Sequence, residues 1–134
     1  MGTVSESLRR FVIERAEARC EYCLLPQAVA LHTHEPDHVI PRQHGGRTSA
    51  GNLALACFRG NRYKGSNPGS LYPLTGELVR FYNPREHRWT EHFRLEDGVI
   101  EPLIPEGRVK VNILRLNDDA RVTERRALIA ADLY

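Results

Sequence analysis

The 134-residue chain has no long apolar run. A membrane-spanning helix takes about 20 apolar residues, so no membrane segment is expected. The opening stretch MGTVSESLRRFVIERAEARC has no secretory h-region, and its charges recur at helical intervals. Export is therefore not expected, and the reducing cytoplasm is the expected compartment. Internal repeats and low-complexity tracts are also missing, which leaves a single domain over 1–134 as the expectation. The most informative gap is in charge. From Val39 to Gly76 there is no Asp or Glu, while Arg42, Arg47, Arg59, Arg62 and Lys64 all fall there. A local basic stretch in a chain of net charge +2 points to a phosphate-rich partner. The alternative is a solvated loop whose charge is accidental.

What is present reads as an α+β order. Residues 5–19 have helical spacing at Leu8, Phe11, Val12 and Arg15, with Ser5 or Ser7 as cap. The helix runs into CEYC and is broken at Pro26. ALHTHE alternates weakly and predicts a short strand up to Asp37. RQHGGRTSAG, residues 42–51, is a loop by its Gly, Ser and Thr. NLALAC, residues 52–57, fits a strand or a buried helical turn equally well. FRGNRYKG predicts a short helix closed by Gly65. Further on, Asp97–Gly98 between two apolar runs signals a hairpin. In GRVKVNILRL, Val109, Val111 and Ile113 alternate with polar residues, which predicts a strand. A final helix is expected from about Asn117, with Val122, Ile129, Ala130 and Leu133 on one face.

Cysteine is scarce, and its spacing matters. Cys20-x-x-Cys23 and the distant Cys57 resemble three corners of a zinc knuckle, but Gly60 stands where a second Cys-x-x-Cys would end. His32, His34 or His44 could complete the set, water could, or packing could hold the loop with no metal. A thioredoxin-like redox pair would need a βαβ setting that is missing here. Three plain buried thiols are the simplest alternative.

Asp37 and His38 end the first predicted strand, Asn52 starts the next element, and Asn61 lies on the short helix after Cys57. Singly, each has a dull role: turn residue, half-buried histidine, cap, surface amide. Together, in this order and interleaved with the cysteines, they carry a pattern. Through EPDHVIP, GG, GNLALAC and NRYKG, residues 20–65 resemble the HNH endonuclease family.

The resemblance implies a ββα-metal core, preceded by the N-terminal helix and followed by an extension over about 66–134 with a hairpin, strands and a final helix. It implies that His38 takes the proton from an attacking water. Asp37 and Asn61 would ligate Mg²⁺, Mn²⁺ or another divalent ion, and Asn52 would hold the His38 loop or the His38 ring through hydrogen bonds. It implies DNA as partner, products with 5′-phosphate and 3′-hydroxyl ends, and Zn²⁺ at an incomplete Cys20, Cys23, Cys57 set. A neutral imidazole suits the base role near pH 7, and Mg²⁺ suits hard oxygen donors. Arg42, Arg47, Arg59, Arg62 and Lys64 would contact backbone phosphates. Cutting both strands with one active site would call for a homodimer. Glu35 fits an exposed strand carboxylate, with a metal role as the alternative, and His87 and His92, near Trp89, fit structural roles. Two rivals stand beside this reading. One is a weak or inactive nucleic-acid-binding module on the same scaffold, a rival that Gly60 feeds. The other is a redox or metal-storage protein, which has no need of Asp37, His38 or Asn61.

Overall fold

The computed structural model describes residues 3–134. The chain is α+β and forms two compact units, one running to Pro68 and the other Gly69–Tyr134.

In the first unit, helix α1 (Glu6–Arg15) is capped by Ser5, whose hydroxyl accepts from the Leu8 amide at 3.2 Å. It ends earlier than its spacing predicts because Glu17 and Ala18 turn left-handed, at φ 53° and 55°, which breaks the hydrogen-bond ladder. Its Val12 is fully buried against Leu53 and Leu55 of strand β2 (Leu53–Ala56). The ambiguous NLALAC stretch is thus a strand, and all four residues of β2 are buried. Continuous burial erases the alternation that would have marked it in sequence. Strand β1 (Glu35–His38) pairs antiparallel with β2, setting Asp37 opposite Ala54 and His38 opposite Leu53. The strand signal in ALHTHE is realised only from Glu35; Gln27–Val29 form a 3₁₀ turn instead. Helix α2 (Phe58–Lys64) follows β2 and closes at Gly65, as its sequence predicts.

In the second unit, strands β3 (Gly69–Leu71) and β4 (Leu78–Arg80) form one hairpin. A short helix α3 (Trp89–His92) leads into β5 (Phe93–Glu96) and β6 (Val99–Pro102), paired around the expected Asp97–Gly98 turn. The predicted strand at 107–116 is helix α4 (Pro105–Leu114). Pro105 supplies a preset first turn. Gly107, Lys110, Val111 and Leu114, spaced for one helical face, are all buried. The valine alternation is a by-product of two neighbouring helical faces, and packing overrides β propensity. Helix α5 (Asp119–Ala130) forms where expected, but its expected apolar face does not enter the core. Ile129 and Leu133 are 39% and 50% exposed, while Arg121 and Arg125 are buried. Their guanidinium groups satisfy carbonyls that helix and strand ends leave open: Arg121 donates to Leu114 O at 2.6 Å, and Arg125 to Gly98 O and Leu116 O. No helix is long and apolar enough to cross a membrane among the described residues.

Candidate active site and thiol cluster

The loop between β1 and β2 is held at its neck by one side chain. Asn52 Oδ1 accepts from the Ile40 amide at 2.9 Å, and its Nδ2 donates to Ile40 O at 3.0 Å and Arg47 O at 2.8 Å. Val39 N adds a bond to Asn52 O at 2.9 Å. The backbone passes so closely here that a Cβ on Gly46 would collide with Ile40 O. That is the physical need behind the second glycine of the GG pair.

This clamp places His38 at the mouth of an open cleft of about 300 Å³ lined by Asp37, His38, Arg42 and Asn61, among others. His38 is half-buried, and its Nε2 lies 2.8 Å from Thr48 Oγ1. Burial lowers the His38 pKa from its ordinary 6.5, Asp37 opposes that shift, and the positive charges of Arg42 and Lys64 add to it. Burial thus favours the neutral ring. Asn61 is half-buried on α2 and lines the same cleft.

Asp37 is more enclosed than a strand-end position implies, with 5% exposure. Its Oδ2 accepts from Tyr22 OH at 2.8 Å, and Lys64 Nζ lies 3.3 Å from Oδ2 and 3.4 Å from Oδ1. Lys64 Nζ also donates to His38 O at 2.7 Å. Lys64 thus departs from its expected role. At 1% exposure it faces the cleft carboxylate from within and cannot reach a DNA backbone. Arg42, Arg47, Arg59 and Arg62 are exposed. Glu35 pairs with Arg9 at 2.6 Å.

The three cysteines meet. Their Sγ atoms all lie within 4.8 Å of one another, buried and free of disulfides. Cys23 and Cys57 sulfurs are 3.8 Å apart, a spacing suited to two thiolates on one tetrahedral ion with bonds of about 2.3 Å. Burial, then the hydrogen bonds and charges of the other two thiols, pushes the Cys20 thiol well above its ordinary range. A cation among the sulfurs reverses that preference, because it binds thiolates. Gly60 leaves the fourth corner without a side chain. Its amide donates to Cys57 Sγ at 3.3 Å, and a Cβ added there would also begin 3.3 Å from that sulfur. Position 60 therefore looks into the cluster. His34 is not among the clustered ligands; its Nε2 is spent on Leu25 O at 2.8 Å.

Two interactions were invisible to sequence reasoning. Tyr22 is fifteen residues from Asp37, and no periodicity links them. Thr48 lies in a stretch whose composition marks only a loop and says nothing of which side chain it meets.

Compared with known protein families, residues 20–67 fit the family model for the HNH endonuclease. No curated protein and no solved structure matches the chain significantly.

Proposed function

From the match of residues 20–67 to the HNH endonuclease, we propose that this protein hydrolyses phosphodiester bonds in DNA, with β1, β2 and α2 as a ββα-metal core. The observation that carries the reading is the convergence of Asp37, His38 and Asn61 on one open cleft. Their residue types are those that phosphodiester hydrolysis wants: a base, a carboxylate and a neutral oxygen donor.

His38 is the general base. Its neutral ring can take a proton from water at pH 7. In this reading Nε2–H donates to Thr48 Oγ1, and Nδ1 keeps the lone pair that accepts the proton. Asn52 acts one step back, by fixing the loop neck next to His38. Asp37 and Asn61 would hold a divalent ion, Mg²⁺ or Mn²⁺, whose positive charge stabilises the scissile phosphate and leaving oxygen. Cys20, Cys23 and Cys57 would hold Zn²⁺ in a structural role, with the fourth corner open at Gly60. Exposed Arg42, Arg47, Arg59 and Arg62 would neutralise backbone phosphates without reading sequence.

One observation favours the rival reading, a binding module that has lost its chemistry. The Lys64 ammonium sits on the Asp37 carboxylate and competes with a divalent ion for it. Plasmid nicking separates the two. Mg²⁺-dependent nicking, abolished by EDTA and lowered about 10²–10⁴-fold in His38→Ala, is the expected result. If wild type cuts no faster than His38→Ala while both bind DNA, the protein is a binding module.

A further inference from the structure

Asp37 is gripped by two groups, and each comes from a different half of the thiol cluster. Tyr22 lies within the Cys20–Cys23 loop. That loop is fixed on both flanks: Glu21 N donates to Leu55 O at 2.8 Å, Cys20 N to Leu25 O at 2.9 Å, and Leu24 N to Cys20 O at 2.9 Å. The Tyr22 ring is fully buried, and its hydroxyl donates to Asp37 Oδ2 at 2.8 Å. Lys64 comes from the other half. Cys57 caps α2 through its Sγ, and Lys64 lies two helical turns further along the same face. The thiol cluster therefore joins, at its own centre, the two segments that aim a donor at the cleft carboxylate.

We infer that Tyr22 is a positioning residue for Asp37: its hydroxyl holds Oδ2 and so keeps the carboxylate in one orientation, while a cation in the cleft competes for Oδ1 with Lys64 Nζ, which lies 3.4 Å from it. This inference rests on the nuclease reading above and adds to it a route by which the thiol loop reaches the active site. Hydrogen-bond partners behind a ligand orient it, and losing one costs about 10–100-fold in metal affinity. Tyr22 is buried by its ring, so a purely structural role would survive removal of the hydroxyl alone.

The test uses the full chain and Mn²⁺ as the probe, with affinity read by titration calorimetry and by the paramagnetic signal of free ion. Tyr22→Phe should bind Mn²⁺ about 10–100-fold more weakly than wild type. Its melting temperature, its metal content at the thiols and its DNA affinity should stay near wild type, and the Mg²⁺ needed for half-maximal nicking should rise. Asp37→Asn sets the reference for losing the site. If Asp37→Asn loses Mn²⁺ while Tyr22→Phe binds it as tightly as wild type or more so, the positioning role is wrong and the nuclease reading stands. If Asp37→Asn binds Mn²⁺ like wild type, Asp37 is no cation ligand, and both readings fall together. Should Tyr22→Phe fail to fold, 3-fluorotyrosine at position 22 keeps ring and donor. A stronger donor holds Oδ2 more firmly, so Mn²⁺ affinity should rise by a few-fold, and an unchanged or lowered affinity overturns the inference.

Discussion

Both units bury charge, and they do so for opposite ends. In the second unit, Arg121 and Arg125 turn inward to carbonyl oxygens, and Lys110 Nζ lies 4.7 Å from the centre of the Phe81 ring. The two arginines meet carbonyls that the fold itself leaves open, and Lys110 faces an aromatic ring. In the first unit, Lys64 is just as buried, but it meets a carboxylate at the wall of an open cleft. Taking charge out of water is costly unless it is compensated. Compensation by backbone serves the fold. Compensation by another side chain, beside an opening, leaves a group that a ligand can still compete for.

The sharpest way to break this contrast is to remove one side chain from each unit. His38→Ala should lower cleavage about 10²–10⁴-fold with little change in melting temperature. Arg121→Met should do the reverse: it strands the Leu114 carbonyl and should cost about 1–3 kcal/mol of stability, seen in urea unfolding, with cleavage per folded molecule unchanged. If Arg121→Met lowers cleavage more than stability, the division of labour is wrong.

Next in size comes the open corner. Gly60→Cys should raise zinc towards one per chain, measured by elemental analysis of purified protein, and should raise a melting temperature that chelators then lower. Apparent zinc binding by complete knuckles amounts to about 10–16 kcal/mol at neutral pH, so even a partial gain is visible. One tightly held zinc in wild type, unaltered by Gly60→Cys, would mean that another ligand already closes the site.

Charge on the outside should matter less per residue. Neutralising Arg42, Arg47, Arg59 and Arg62 together should flatten the log–log salt dependence of DNA binding by about 0.9 for each phosphate no longer neutralised. Lys64→Gln should leave that slope alone, because its ammonium is enclosed. A slope that falls with Lys64→Gln and not with the arginines would reverse the assignment. The smallest effect is in pH. Burial lowers the His38 pKa, with Arg42 and Lys64 adding to it, and the neutral ring is the active form. Single-turnover cleavage should therefore rise with pH through a midpoint below 6.5. Arg42→Gln removes one of the lowering charges and should move that midpoint upward. A wild-type midpoint at or above 6.5 would deny His38 the environment described.

How much of this was legible in the sequence differs between the units. In the first, several local signals and tertiary structure agree, although α1 and the first strand are shorter than expected: Ser5 caps α1, Gly65 closes α2, Asp37 lies near the end of β1, and Asn52 lies just before β2. In the second, Val109 and Val111 alternate like strand residues, yet Pro105 and a buried helical face decide for helix. The burial of Arg121 and Arg125 was not legible, because a sequence does not say which carbonyls will lack partners. Lys64 misled for a related reason. The acid-free run from Val39 to Gly76 counts charges but not the direction they face. Tyr22 and Thr48 were missed because their partners are fixed by the fold alone.

The Asn52 clamp has a consequence for what the loop above it can become. Its three side-chain bonds close the loop at Ile40 and Arg47, so the placement of His38 is settled below the tip. Exposed Gln43 and His44 sit beyond that neck. Lengthening a flexible loop costs only about 0.6 kcal/mol per doubling. Residues added between Gln43 and His44 would therefore extend the reach of the protein over a nucleic acid while the reacting groups stay where they are. The cleft and its rim are free to diverge at different rates.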